Sequence, residues 1–130
     1  MFNAIFSLRD LLIFDATSSG STSTIWTAGT GTNSAVLGGT GGYAGYASVA
    51  AGEGVSATTN YSFAEGFYTL ADGSRSHAEG SQTQALGGIS HAEGSYTIAS
   101  GSTSHSEGDS TIAGGVSSHA EGDSSISSGI

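Results

Sequence analysis

From Ser34 onward, apolar and polar residues recur in a fixed 14-residue phase. The third position of each unit is small: Val36, Ala50, Ala64, Ala78, Ala92, Ser106 and Ala120. The eighth is mostly threonine (Thr69, Thr83, Thr97, Thr111), and the tenth mostly alanine (Ala57, Ala71, Ala85, Ala99, Ala113). Alternation with period two is the signature of strands, whose successive side chains point to opposite faces. The pattern predicts two short strands per unit, with small side chains turned into a thin interior. The ninth position, on the opposite face of the second strand, becomes apolar late in the array (Leu70, Ile98, Ile112, Ile126).

The phase is carried by a recurring segment. Ser-His-Ala-Glu-Gly begins at Ser76, Ser90 and Ser118, and at Ser104 with Ser106 in place of alanine. Looser copies start at Ser34, Ser48 and Ser62, so residues 34–130 form seven units and residues 1–33 stand apart as a capping or docking segment. The fifth position is always glycine: Gly38, Gly52, Gly66, Gly80, Gly94, Gly108 and Gly122. The twelfth is glycine in every unit but one, where Thr59 stands. Two glycines at fixed phase are expected at two sharp corners per unit. The fold class that follows is all-β: a parallel β-roll, or solenoid, of 14-residue coils. At ~4.8 Å between strands, seven coils make a rod roughly 34 Å long.

Composition agrees with this and excludes several functions. Glycine accounts for 22 of 130 residues, proline and cysteine are absent, and only 10% of residues are charged. Such a chain packs backbones closely or stays disordered, because it lacks bulk for a thick core. The strict phase argues for order. Net charge is −9, with Arg9 and Arg75 the only basic residues, which argues against nucleic-acid or anionic-lipid binding. No disulfide framework or thiolate metal site is possible without cysteine. Met1–Asp15 is apolar but broken by Arg9 and Asp10, so neither a secretory signal nor a membrane span is expected.

Candidate chemistry concentrates at the second and fourth positions, which turn outward. His77, His91, His105 and His119 form one column, and Glu79, Glu93, Glu107 and Glu121 another. A metal reading is open, with imidazoles ~4.8 Å apart beside carboxylates. A catalytic reading needs a nucleophile or cleft and a singular site, whereas these residues recur with every coil. The expectation is therefore a structural ladder of His–Glu hydrogen bonds, with no catalytic residue, no cofactor and no enzyme activity. A buried column would also couple stability to pH through imidazole charge. Gly38–Gly42 lacks a Walker lysine and reads as a turn rather than a phosphate loop. Glu53, Asp109 and Asp123 could face calcium, but a solvated corner is the expected reading. Tyr43, Tyr46, Tyr61, Phe63, Phe67 and Tyr68 cluster early, as a cap in preference to a contact surface.

These units resemble the head repeats of trimeric autotransporter adhesins, a family built around Ser-Val-Ala-x-Gly. Ser48-Val49-Ala50-Ala51-Gly52 matches that form, and the histidine units match a His-Ala-Glu-Gly variant. Similar repeats occur in tail-fibre and surface proteins of phages and large viruses. Ile25–Asn33 also looks like the segment that leads into viral fibre repeats. The resemblance covers about three-quarters of the chain and implies a left-handed roll, a parallel homotrimer and adhesive or surface work. No heptads and no anchor are visible, which tilts the expectation towards a fibre on a virion or other extracellular surface.

An interior of alanine and threonine buries little area, at ~25 cal/mol per Å², which independently favours a partner on an outer face. Leu11–Thr17 reads as a strand, and residues 1–33 are positioned to cover the first coil's open edge. The last unit stops short, so the array is read as part of a longer rod or as one link of a head-to-tail filament. The expected function is thus a structural fibre protein. The alternatives are an adhesin head for a host surface or glycan, and a metal- or pH-responsive assembly protein.

Overall fold

The computed structural model describes residues 26–28, 35–37 and 44–129. The expected strand at Leu11–Thr17, the glycine run at Gly38–Gly42 and Tyr43 lie outside the described residues. The architecture is an all-β parallel solenoid of about six turns, with no helix among the described residues. One sheet contains β1 (Trp26–Ala28), β2 (Ala35–Leu37), β3 (Val49–Glu53), β5 (Phe63–Phe67), β7 (His77–Ser81), β9 (His91–Ser95), β11 (His105–Asp109) and β13 (His119–Ala120). The other contains β4 (Ser56–Ala57), β6 (Leu70–Ala71), β8 (Gln84–Ala85), β10 (Ile98–Ala99), β12 (Ile112–Ala113) and β14 (Ile126–Ser127). The chain passes from one sheet to the other and back in each turn, so every neighbour within a sheet is one turn away.

The register keeps the 14-residue phase: Val49 pairs with Phe63, Phe63 with His77, and His77 with His91. A parallel ladder at this offset brings the same position of every unit into one column. The exception is β1, which runs antiparallel to β2 and occupies the edge of the first sheet, pairing Trp26 with Leu37. In the first unit the interior alanine is Ala44, which bridges to Ala57.

The interior follows the expected faces. Ala64, Ala78 and Ala92 from one sheet and Ala71, Ala85 and Ala99 from the other are fully buried. Thr69, Thr83, Thr97 and Thr111 join them. Each buried alanine methyl contributes on the order of 0.8 kcal/mol, so backbone pairing and close sheet approach, rather than bulk, define the roll. In four turns the opening serine has a structural role that its recurrence alone did not disclose. Ser48, Ser62, Ser90 and Ser104 are buried, and each Oγ donates to the carbonyl three residues earlier, at 2.7 Å.

The fifth-position glycines are not at the corners where the sequence places them. Gly52, Gly66, Gly80, Gly94 and Gly108 are each the fourth residue of a five-residue strand, and Gly122 follows β13. Gly38 lies outside the described residues. Their φ values run from 96° to 131°, a region L side chains rarely adopt. A Cβ on any of the five strand glycines would overlap the carbonyl oxygen of the equivalent glycine one turn on. Close backbone approach, not a turn, demands glycine there.

The corners are the seventh and fourteenth positions. Gly54, Tyr68, Gln82, Tyr96, Ser110 and Ser124 at one, and Ala47, Tyr61, Arg75, Ile89, Thr103 and Ser117 at the other, have φ between 49° and 65°. The left-handed conformation reverses the direction of hydrogen bonding. Strand residues donate to the following turn, as His91 N does to Ser104 O at 2.9 Å. Corner residues donate to the preceding turn, as Tyr96 N does to Ser81 O and Ile89 N to Ser74 O, both at 2.9 Å. The corner amides thus find partners, which offsets the strain of a non-glycine residue in this conformation.

Candidate functional site

The outer face of the first sheet carries the ladder. Parallel register stacks His77, His91, His105 and His119 with ring centroids 4.7, 4.8 and 4.9 Å apart and planes within 4° of parallel. Phe63 holds the same position one turn earlier and meets His77 edge-on, with centroids at 5.1 Å. The glutamates run alongside, and the column begins one turn before the first histidine, at Glu65. Phase alone would have found Glu65, since it shares the fourth position with Glu79. Together the glutamates and the fifth-position glycines line an open groove of about 1240 Å³ along the sheet.

His91, His105 and His119 each point Nε2 between two carboxylates, one from their own turn and one from the previous turn. His91 Nε2 lies 3.8 Å from Glu79 Oε1 and 4.0 Å from Glu93 Oε2. His105 Nε2 repeats this with Glu93 Oε1 at 3.8 Å and Glu107 Oε2 at 4.0 Å. His119 sits at 3.5 Å and 3.9 Å from Glu107 and Glu121. The expected His–Glu hydrogen bonds are not formed at His77, His91 or His105, whose Nε2 atoms are shut off from solvent and have no hydrogen-bond partner. The rings stack face to face, and stacking fixes Nε2 midway between carboxylates, too far from either for a hydrogen bond. The side chains themselves are only part-buried, about 35% exposed for His91 and 33% for Glu93.

No family model matches this chain, and no curated protein and no solved structure matches it. The chemistry of the ladder therefore rests on its own geometry.

Charge is the main tension in that geometry. Consecutive glutamates bring carboxylate oxygens within 4.8 Å of one another around each Nε2, at Glu65–His77–Glu79 and at the three triads that follow. Two like charges at that separation repel by ~1–3.5 kcal/mol for an effective dielectric between water and a protein surface. With neutral imidazoles the column has nothing to offset this, and the chain as a whole carries −9. Metal cations held between the carboxylates would relieve it. Each turn of the ladder repeats the same group of one imidazole and two carboxylates.

The other sequence candidates fall elsewhere. Asp109 and Asp123 are exposed, pair in register, and accept hydrogen bonds from Ser110 and Ser124 at 2.7 Å and 2.6 Å. The early aromatics lie at both corners of the roll: Tyr61 at one, and Phe67 and Tyr68 at the other, are 53%, 44% and 57% exposed. Tyr46 meets Tyr61 and Phe67 meets Tyr68 edge-on at 5.5 Å and 4.5 Å, and the Arg75 guanidinium lies 5.9 Å from the Tyr61 ring centre. On the second sheet, Leu70, Ile98 and Ile112 are half-buried on the outside and Ile126 is exposed.

Proposed function

We propose that the chain is a structural fibre protein whose turns form a left-handed rod, three copies of which associate in parallel on a virion or other extracellular surface. The observation that carries this reading is the 14-residue strand register from Ala35 to Ser127, which puts equivalent positions of successive turns in line on one outer face. Work that needs length and repetition suits such an object; enzymatic work that needs one singular site does not. The thin alanine and threonine interior, the groove along the first sheet and the aliphatic stripe on the second all favour a second and third copy as the partner. The adhesin-head and viral-fibre resemblance of the repeats supplies the handedness and the threefold arrangement.

Sedimentation equilibrium and negative-stain electron microscopy test this together. Expected are a species of three times the chain mass and short uniform rods, with end-joined rods marking filament assembly. A monomer that persists at micromolar concentration overturns the trimer.

The exposed aromatic pairs at the two corners favour a second reading, an adhesin head that contacts a host surface or glycan. Tyr61, with Arg75 beside it at one corner, and Phe67 with Tyr68 at the other offer flat faces of the kind that stack on sugars. A glycan array separates the readings: binding that is lost in Tyr61→Ala and Tyr68→Ala favours the head.

A further inference from the structure

We propose that the ladder is a one-dimensional divalent-metal site, filled only in non-adjacent turns so that four overlapping triads hold two ions per chain. The inference goes beyond the fibre reading and does not depend on it.

Three observations meet here. First, each triad offers one imidazole nitrogen and two carboxylate oxygens within 4.8 Å of one another. Nitrogen with oxygen ligands suits zinc and its first-row neighbours, with water completing the shell. Second, the Nε2–oxygen separations are 3.5–4.0 Å, too long for hydrogen bonds. Two ligands of a tetrahedral ion, each at ~2.0–2.1 Å, stand ~3.4 Å apart, so side-chain rotations that shift the ligand atoms by on the order of 1 Å would close the triad on an ion. Third, the Nε2 atoms of His77, His91 and His105 are shut off from solvent and unpartnered, and buried polar atoms are almost always satisfied.

Sharing sets the stoichiometry. Glu93 turns Oε2 to His91 and Oε1 to His105, so it belongs to two triads. Ions in adjacent turns would sit one ring spacing apart, about 4.8 Å, and draw on a common carboxylate. Ions in alternate turns each receive two carboxylates of their own, which balances a double positive charge. They also lie ~9.6 Å apart, two strand spacings. His77 with His105, His91 with His119, and His77 with His119 are the compatible pairs.

The test is a zinc titration of the chelator-stripped full chain at neutral pH. Calorimetry and elemental analysis give ions per chain, and circular dichroism checks that each variant keeps its β signal. The parent is expected to bind two. His91→Gln with His119→Gln leaves His77 and His105, which share no glutamate, and still binds two. His77→Gln with His91→Gln leaves His105 and His119, which share Glu107, and binds one. Should that variant fail to fold, His105→Gln with His119→Gln leaves the pair sharing Glu79 and is also expected to bind one. All four substitutions together abolish binding. Four ions on the parent, or equal counts in the two kinds of double variant, overturn the sharing. Zinc that survives loss of all four histidines marks adventitious binding to an acidic surface and overturns the site, as does failure of the parent to bind.

Discussion

Replacing Gly94 by alanine places a Cβ on the carbonyl oxygen of Gly108, one turn on, at a residue whose φ is +105°. Neither partner can rotate away, because the obstructing atom is backbone. Strain at such a φ costs ~1–3 kcal/mol. Relief requires the two turns to part locally, and losing about two inter-turn hydrogen bonds adds ~2 kcal/mol. The expected loss is therefore about 3–5 kcal/mol. Gly88→Ala is the control: a Cβ there meets nothing within 4 Å, and φ is not in the left-handed region. Stiffening the unfolded chain should make it neutral or stabilising by ~0.4–1 kcal/mol. In a chain of this size a kcal/mol moves Tm by roughly 3–6 °C, so the two variants should separate by more than about 10 °C in thermal unfolding followed by circular dichroism. Melting temperatures that agree within about 3 °C would show that close approach of turns is not why the strand glycines recur.

Ala92→Leu forces a larger side chain into a fully buried site between the two sheets and should cost about 3 kcal/mol or cause aggregation, read by urea denaturation. Ser104→Ala removes the buried Oγ that donates to Gly101 O at 2.7 Å; the expected cost is ~1 kcal/mol by the same assay. Ser106→Ala removes the 2.8 Å contact to Thr111 Oγ1 but leaves that hydroxyl donating to Glu107 O, and Ala92 and Ala120 hold the equivalent place in adjacent turns, so stability should change by less than about 1 kcal/mol. Phe67→Ser, at an exposed corner, should alter Tm by no more than a degree or two while reducing any surface adhesion.

Strand periodicity, unit length and the inward set at Ala78, Thr83 and Ala85 were legible in the sequence, because alternation and phase report directly on which side chains share a face. The corners were not. Tyr68, Gln82, Ile89 and Ser110 take up left-handed φ with no common chemistry, since the conformation is imposed by pairing with the preceding turn and not by residue preference. Glycine misled in the same way: Gly80 answers to the carbonyl of Gly94, a full unit further along the chain, which reads locally like a turn signal. The His and Glu columns could be placed by phase, yet the stacking of His91 on His105 that denies Nε2 a hydrogen bond depends on ring orientation, which only coordinates give.

The central claim is that each successive unit advances the chain by one strand spacing. With no native cysteine, Asn60→Cys paired in turn with Ser102→Cys and Val116→Cys gives clean spin-label pairs at one exposed position of the turn. Diluting labelled with unlabelled chain isolates distances within one molecule. Pulsed dipolar spectroscopy should find backbone separations of ~14 Å and ~19 Å, three and four strand spacings. Broad distributions centred on ~40 Å, as for a flexible segment of this length, or no increment between the two pairs, would contradict it.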